Sequence, residues 1–101
     1  MIRNAYLKKV EARLERLGQD IDSLAKKAES ASADVRDLVA RQIVVLQSKA
    51  ETARDRIKVV RAAGELNWGR LKKEADDALD DLKRAVDNTY HRIRKTGSGK
   101  R

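Results

Sequence analysis

The sequence predicts an elongated, all-α protein, and three observations lead to this fold class. The 101 residues contain no proline, and four of the five glycines lie beyond position 63, so the first half has little that breaks a helix. Charged residues make up 40% of the chain, while aromatic residues make up only 3%. Apolar residues also recur at helical spacing. Such a chain suits long helices that bury a narrow seam better than a body with a thick core.

The first half carries a seam of apolar or small residues with alternating spacings of three and four. Its members are Leu7, Val10, Leu14, Leu17, Ile21, Leu24, Ala28, Ala31, Val35 and Leu38. This heptad spacing is typical of coiled coils. Near Val35 two consecutive spacings of four form a stutter, which unwinds a supercoil locally without breaking the helix. The seam therefore predicts a helix that continues through Ile57 and Val60.

The segment Ala62–Gly69 is the best turn signal in the chain, because it holds two glycines and Asn67. We therefore predict one long helix from about residue 3 to 63 and a return helix from about 66 to 94, folded as an antiparallel hairpin. The residues expected in the hairpin core are Leu46, Ile57, Val60, Trp68, Leu71, Leu79, Leu82 and Val86. Residues 1–95 are expected to form one domain, followed by a flexible basic tail over 96–101.

The charges alternate along the chain and favour this hairpin, which places residue i opposite roughly residue 130 − i. The acidic residues of the return helix then face basic residues of the long helix: Glu74, Asp76, Asp77, Asp80, Asp81 and Asp87 lie opposite Arg41, Lys49, Arg54 and Arg56. The alternative is a spectrin-like bundle of three helices with an extra turn near residues 30–34, where Ser and Asp could cap a helix. That turn sets the basic first segment against the basic stretch 43–59, although it also runs the first helix parallel to the acidic last one.

The hairpin leaves the start of the long helix uncovered, which predicts association. Six residues form this expected dimer seam: Leu7, Val10, Leu14, Leu17, Ile21 and Leu24. A second copy laid antiparallel about Gly18 would set basic residues against acidic ones, as a two-fold interface requires. The sequence therefore predicts a homodimer, with a helix from a different partner as the second choice.

The chain offers little for catalysis or metal binding. It has no cysteine and a single histidine, His91, which lies among basic residues near a predicted helix end. Metal or acid–base chemistry needs converging ligands that the sequence does not gather around His91. The carboxylates between Asp76 and Asp81 have i,i+4 spacing but lack the Glu-x-x-His of a helical di-metal site. We expect a protein that is not an enzyme and needs no cofactor.

The net charge of +8 and the pI near 10.0 point to an acidic partner. We expect the basic residues Arg92, Arg94, Lys95, Lys100 and Arg101 to contact an acidic protein. An amphipathic-helix adaptor on anionic membranes and a nonspecific nucleic-acid binder are the alternatives. The seam lacks the bulky aromatic residues of membrane-surface helices, and the basic residues lack the aromatic or Asn/Gln arrays that read bases. The absence of a signal peptide or a long apolar run predicts a cytoplasmic protein.

Five parts of the sequence carry a resemblance to known proteins: Tyr6, Ile21–Ala28, Trp68–Lys72, Ala78–Lys83 and Arg92–Ile93. In these parts the chain resembles a group of small bacterial coiled-coil proteins described as apolipoprotein-like or stress-response proteins. It implies an all-helical accessory or scaffold protein without known catalysis, tied to stress, and it supplies no site residues. The chain departs from that group in three ways: Leu79 replaces a second Trp, Ile93 replaces a Phe, and the net charge is basic where the group tends to be acidic.

Overall fold

The computed structural model describes residues 2–64 and 66–98, and these residues form three α-helices. They are α1 (Ile2–Glu29), α2 (Ala33–Ala62) and α3 (Trp68–Ser98). The bundle measures 55 × 17 × 17 Å. α2 runs back along α1, and α3 runs back along α2, so α1 and α3 are parallel. The predicted all-α class is therefore confirmed, with no strand in the described ranges.

A short turn at residues 30–32 interrupts the helix that was predicted to run unbroken from about 3 to 63. Ser32 has extended backbone angles (φ −64°, ψ 164°), and its hydroxyl oxygen accepts a 3.4 Å hydrogen bond from the backbone N–H of Val35. This is an N-cap, which satisfies an amide that α2 cannot pair internally. The favoured single long helix is therefore wrong at this point, and the three-helix alternative describes the architecture.

The second turn lies where the glycines predicted it, between Ala62 and Trp68. The backbone amides of Asn67 and Trp68 both lie 3.2 Å from the carbonyl oxygen of Gly64, to which they donate. α3 then continues to Ser98, beyond the predicted end at about residue 94. The flexible basic tail expected over 96–101 stays a prediction. A glycine inside a helix costs only about 1 kcal/mol, so Gly97 does not end α3.

One apolar core runs the length of the bundle and receives side chains from all three helices. Of the predicted hairpin core, six side chains are buried, namely Leu46, Ile57, Val60, Leu79, Leu82 and Val86. Trp68 and Leu71 are half-buried and pack against this cluster. The packing of α3 on α2 thus follows the predicted hairpin, although α1 is added to it.

The residues predicted to form a dimer seam lie in this same core. Leu7, Val10, Leu17, Ile21 and Leu24 are buried, and Leu14 is half-buried and packs against them. The correction follows from the turn at residues 30–32, which lets α1 fold back so that α2 and α3 of the same chain cover its seam. The reason for expecting a homodimer therefore disappears, while the oligomeric state itself stays a prediction.

Apolar burial explains why α1 folds back although it is set against another basic helix. Burying a Leu, Ile or Val side chain contributes about 1.5–3 kcal/mol, and α1 buries five of them. Exposed charge pairs contribute only about 0–1 kcal/mol each. The burial terms therefore exceed what the charges contribute, and acids of α1 in fact face bases of α2, as in the ion pair between Glu11 and Arg61.

Candidate functional site

The acidic face of α3 lies between the two basic helices and pairs with both. The guanidinium of Arg13 on α1 lies 2.6 Å from Oδ1 of Asp80, and Nζ of Lys49 on α2 lies 2.7 Å from Oδ2 of Asp81. The hydrogen bond from Arg13 is the main reason why the pKa of Asp80 is lowered, and the nearby charges of Arg84 and Lys83 act in the same direction. Neighbouring acids on one helix thus bind bases on two different helices.

An aromatic clasp joins α1 to α3 at one end of the bundle. The hydroxyl of Tyr6 lies 2.7 Å from Oδ1 of Asp76 and 3.0 Å from the carbonyl oxygen of Lys72. The ring of Tyr6 lies 6.1 Å from that of Trp68, centroid to centroid, and Nζ of Lys72 lies 5.3 Å from the Tyr6 centroid. Burial and the Asp76 carboxylate raise the pKa of Tyr6 well above its usual value. The contacts of Tyr6, Trp68 and Lys72 therefore stabilise the packing of α1 on α3.

The two ends of the bundle differ in how many of their basic side chains form ion pairs or hydrogen bonds within the bundle. We call them the Gly64 end, where α2 ends and α3 begins, and the Ser32 end, where α1 ends and α2 begins. At the Gly64 end Arg61 pairs with Glu11, and the Arg3 guanidinium donates to the carbonyl of Ala63. Arg70 and Lys73 pair with acids one turn further along α3. The positive charge of the Gly64 end is thus partly neutralised by the bundle itself.

The Ser32 end carries a net positive charge. Residues 23–43 and 89–98 hold seven basic and three acidic residues. The seven are Lys26, Lys27, Arg36, Arg41, Arg92, Arg94 and Lys95, all exposed. Within residues 2–64 and 66–98, none of them lies within ion-pair distance of a carboxylate, whereas Lys49 and Arg13 in the middle of the bundle do.

Interaction with the helix dipoles explains the positions of only some of these basic residues. Lys26, Lys27 and Lys95 occupy the last turns of α1 and α3, where a cation stabilises the helix dipole. Arg92 and Arg94 precede the last turn of α3. Arg36 follows closely on the N-terminus of α2, where a positive charge is unfavourable for its own helix. These arginines therefore have no evident role within the bundle.

An uncharged segment lies beside these arginines on α2. Residues 42–48 contain no charged side chain, in a chain that is 40% charged, and Val44 and Val45 within it are 67% and 44% exposed. Neither valine belongs to the buried core or packs against it. An apolar centre beside a charged rim is the usual composition of a protein-binding surface.

Two grooves border this uncharged segment of α2. The groove on the α3 side has a volume of about 340 Å³ and is lined by Gln42, Val45, Lys49, Ala85, Asn88, His91 and Arg92. No carboxylate lines it. The groove on the α1 side is mostly apolar and includes one acid and one base, Glu29 and Arg36. We refer to the first of these as the Val45 groove.

A third and larger groove lies between α1 and α2 around Gly18. Its volume is about 660 Å³, and its lining includes three acids of α1 (Glu11, Glu15 and Asp22) and three bases of α2 (Arg54, Lys58 and Arg61). A Cβ placed on Gly18 would meet no atom within 4 Å, so the groove is open there. Because its two walls carry opposite and equal charge, this groove has no net preference for an anion or a cation.

The structure describes only three of the five basic residues that were predicted to contact a partner. Arg92, Arg94 and Lys95 are exposed on α3, and Lys100 and Arg101 lie outside the described residues. Val44 and Val45 are not among the residues predicted to form the interaction surface. The sequence signal for them is the unusual run of uncharged residues, in which both valines fall between Ile43 and Leu46.

The described part of the chain gathers no group of three His, Cys, Asp or Glu side chains that could hold a metal ion. None of its helices is long and apolar enough to cross a membrane. No protein-family model, curated protein or solved structure matches the chain.

Proposed function

We propose that this chain is a non-enzymatic accessory or scaffold module that binds an acidic protein partner at the Ser32 end. One observation carries the proposal: seven exposed basic side chains gather there without an ion-pair partner within residues 2–64 and 66–98. The cost of placing Arg36 near the N-terminus of a helix supports a role outside the bundle.

The exposed valines favour a protein over the two other polyanions considered. A protein partner can bring apolar and acidic side chains together, which suits Val44 and Val45 beside Arg41. Membrane adsorption needs an exposed apolar helix face, and the apolar stripes of all three helices supply the buried core. Stacking on nucleic-acid bases needs free aromatic rings, and Tyr6 and Trp68 pack on each other. The stress-related role implied by the family resemblance stays a prediction.

A synthetic peptide provides the test. It has about 20 residues, with leucines along one helical face and glutamates elsewhere, so that it spans about 30 Å when helical. We expect the peptide to bind, with an affinity that falls as salt screens the charges. Anionic vesicles and a DNA duplex serve as competing probes. Tighter binding of either of them at the same salt concentration would contradict an acidic protein as the partner.

Two matched variants locate the binding surface. One replaces four arginines of the Ser32 end with glutamine, at Arg36, Arg41, Arg92 and Arg94. The control replaces four exposed bases nearer the Gly64 end, at Lys8, Lys9, Arg56 and Lys58, and so changes the net charge equally. We expect the first variant to bind at least about tenfold more weakly than the control. Equal losses would mean that overall charge, and not the Ser32 end, attracts the peptide.

A further inference from the structure

The Val45 groove between α2 and α3 differs from the other grooves in the chemistry of its lining. Its lining contains Arg92, Lys49, whose ammonium group pairs with Asp81, and no carboxylate. The Gly18 groove and the α1-side groove each balance acids against bases. Among these three, the Val45 groove alone is lined by basic residues without a carboxylate.

The polar groups of the groove are arranged in two facing rows. Gln42, Val45 and Lys49 follow one another at i, i+3 and i+7 on α2, and Ala85, Asn88 and Arg92 do the same on α3. Residues at this spacing share one face of a helix. The amides of Gln42 and Asn88 and the guanidinium of Arg92 are all hydrogen-bond donors, and Val45 and Ala85 provide an apolar strip beside them.

We propose that the Val45 groove binds an aspartate or glutamate side chain of an acidic partner helix, and that an apolar side chain of the same helix lies on Val45. The carboxylate accepts hydrogen bonds from Arg92 and from the side-chain amides of Gln42 and Asn88. Lys49 adds positive charge, although its ammonium group is already bonded to Asp81. The exposed Val44, on the adjacent face of α2, extends the apolar contact. This inference rests on the proposed function and specifies the surface that performs it.

A pair of charge reversals tests the polar half of this site. Arg92→Glu changes a residue that lines the groove, and Arg94→Glu changes an equally charged, exposed residue two positions away that does not line it. The probe is the leucine–glutamate peptide described above. We expect Arg92→Glu to weaken peptide binding at least about tenfold and Arg94→Glu to weaken it about twofold, because only the first loses a direct charge-assisted hydrogen bond.

A second pair tests the apolar half. Val45→Ser alters the groove, and Val59→Ser alters an exposed valine elsewhere on α2, with exposed fractions of 44% and 45% for the two side chains. We expect about threefold weaker binding for Val45→Ser, from the loss of apolar contact, and no change for Val59→Ser. Circular dichroism of each variant confirms that the bundle is folded.

The outcomes separate the two proposals. If the wild-type chain does not bind the peptide, the proposed function fails. If the peptide binds, but Arg92→Glu and Arg94→Glu weaken binding equally and Val45→Ser has no effect, the groove assignment is overturned while the acidic partner stands. Binding of a DNA duplex that is lost with Arg92→Glu, in the absence of peptide binding, would reassign the groove to phosphate groups.

Discussion

The hydroxyl of Tyr6 on α1 lies 2.7 Å from Oδ1 of Asp76 on α3, and this hydrogen bond joins residues 70 positions apart in the chain. The same hydroxyl is 3.0 Å from the carbonyl oxygen of Lys72, so two acceptors on α3 compete for its one proton. The contact is possible because α1 and α3 run parallel, which brings the start of each helix to the Gly64 end. The long-range hydrogen bond therefore reports directly on the three-helix arrangement.

Replacing Tyr6 with phenylalanine removes this hydrogen bond and retains the ring. We expect the free energy of unfolding to fall by about 1 kcal/mol. Urea unfolding followed by the fluorescence of Trp68, the only tryptophan, measures this change. Tyr90→Phe is the control, because its hydroxyl makes a longer bond of 3.2 Å to the carbonyl oxygen of Asp20. Unchanged stability of Tyr6→Phe would show that the clasp does not form in solution.

Ser32→Ala distinguishes the three-helix bundle from a continuous helix by the sign of its effect. In the bundle Ser32 caps α2, and its loss should lower the free energy of unfolding by about 1 kcal/mol. In a continuous helix the same position would be interior, where alanine is the better helix former and would raise stability. Chemical denaturation measures the sign, with the exposed Ser30→Ala as control. A gain in stability for Ser32→Ala would restore the single long helix.

The burial of the α1 seam predicts how unfolding depends on protein concentration. Because α2 and α3 cover Leu24 completely, the thermal midpoint of the wild-type chain should not change over an about 100-fold range of concentration. Leu24→Ala should lower the free energy of unfolding by about 2–5 kcal/mol at every concentration. The control Leu66→Ala, at a side chain that is 98% exposed, should change it by less than about 0.5 kcal/mol. A midpoint that rises with concentration would indicate that association, and not this core, shelters the seam.

The ion pair between Arg13 and Asp80 predicts a dependence of stability on acid. The folded chain holds the pKa of Asp80 below its ordinary value of 3.8, so the contribution of this group to stability is present above that pH and is lost as the pH falls. Arg13→Gln should therefore be less stable than wild type at neutral pH, and the difference should shrink as the pH falls below 3.8. Arg16→Gln, at an exposed position of the same helix, should show no such trend. A difference that stays constant with pH would mean that the pair contributes nothing in solution.

The sequence was sufficient for the fold class and for the pairing of α2 with α3. The absence of proline and the regular seam indicate helices, and the glycines around Asn67 mark the second turn. The predicted register sets Asp81 against Lys49, and the structure brings these two side chains to 2.7 Å. Both features depend on local pattern or on residues close to a single turn, which is why they can be read without a structure.

The turn at residues 30–32 was harder to predict, because the apolar spacing continues across it without interruption. Ala28, Ala31 and Val35 keep the spacing of three and four across the turn, so apolar periodicity alone favours one helix. The local signal consists of Ser and Asp residues that could cap a helix, and such residues also occur inside helices. The net charges of two segments were a poor guide, because Asp80 and Asp81 each pair with a base on a different helix, and because acids of α1 also face bases of α2.

The proposed interaction surface was only partly predictable, because it depends on which side chains are paired and on how the helices contact each other. The sequence shows that basic residues are abundant near Arg92, but not which of them already have partners. Val44 and Val45 look like ordinary members of an apolar segment until the neighbouring Ile43 and Leu46 are seen to take the places nearer the core. Identifying the Val45 groove requires the contact between α2 and α3 to be known.

An odd number of antiparallel helices has a simple mechanical consequence. α1 begins at the Gly64 end and α3 finishes at the Ser32 end, so polypeptides fused before Ile2 and after Ser98 would leave from opposite ends of a body that is 55 Å long. In a fusion protein this bundle would therefore act as a stiff strut that holds two neighbours apart, whereas a two-helix hairpin would bring them side by side.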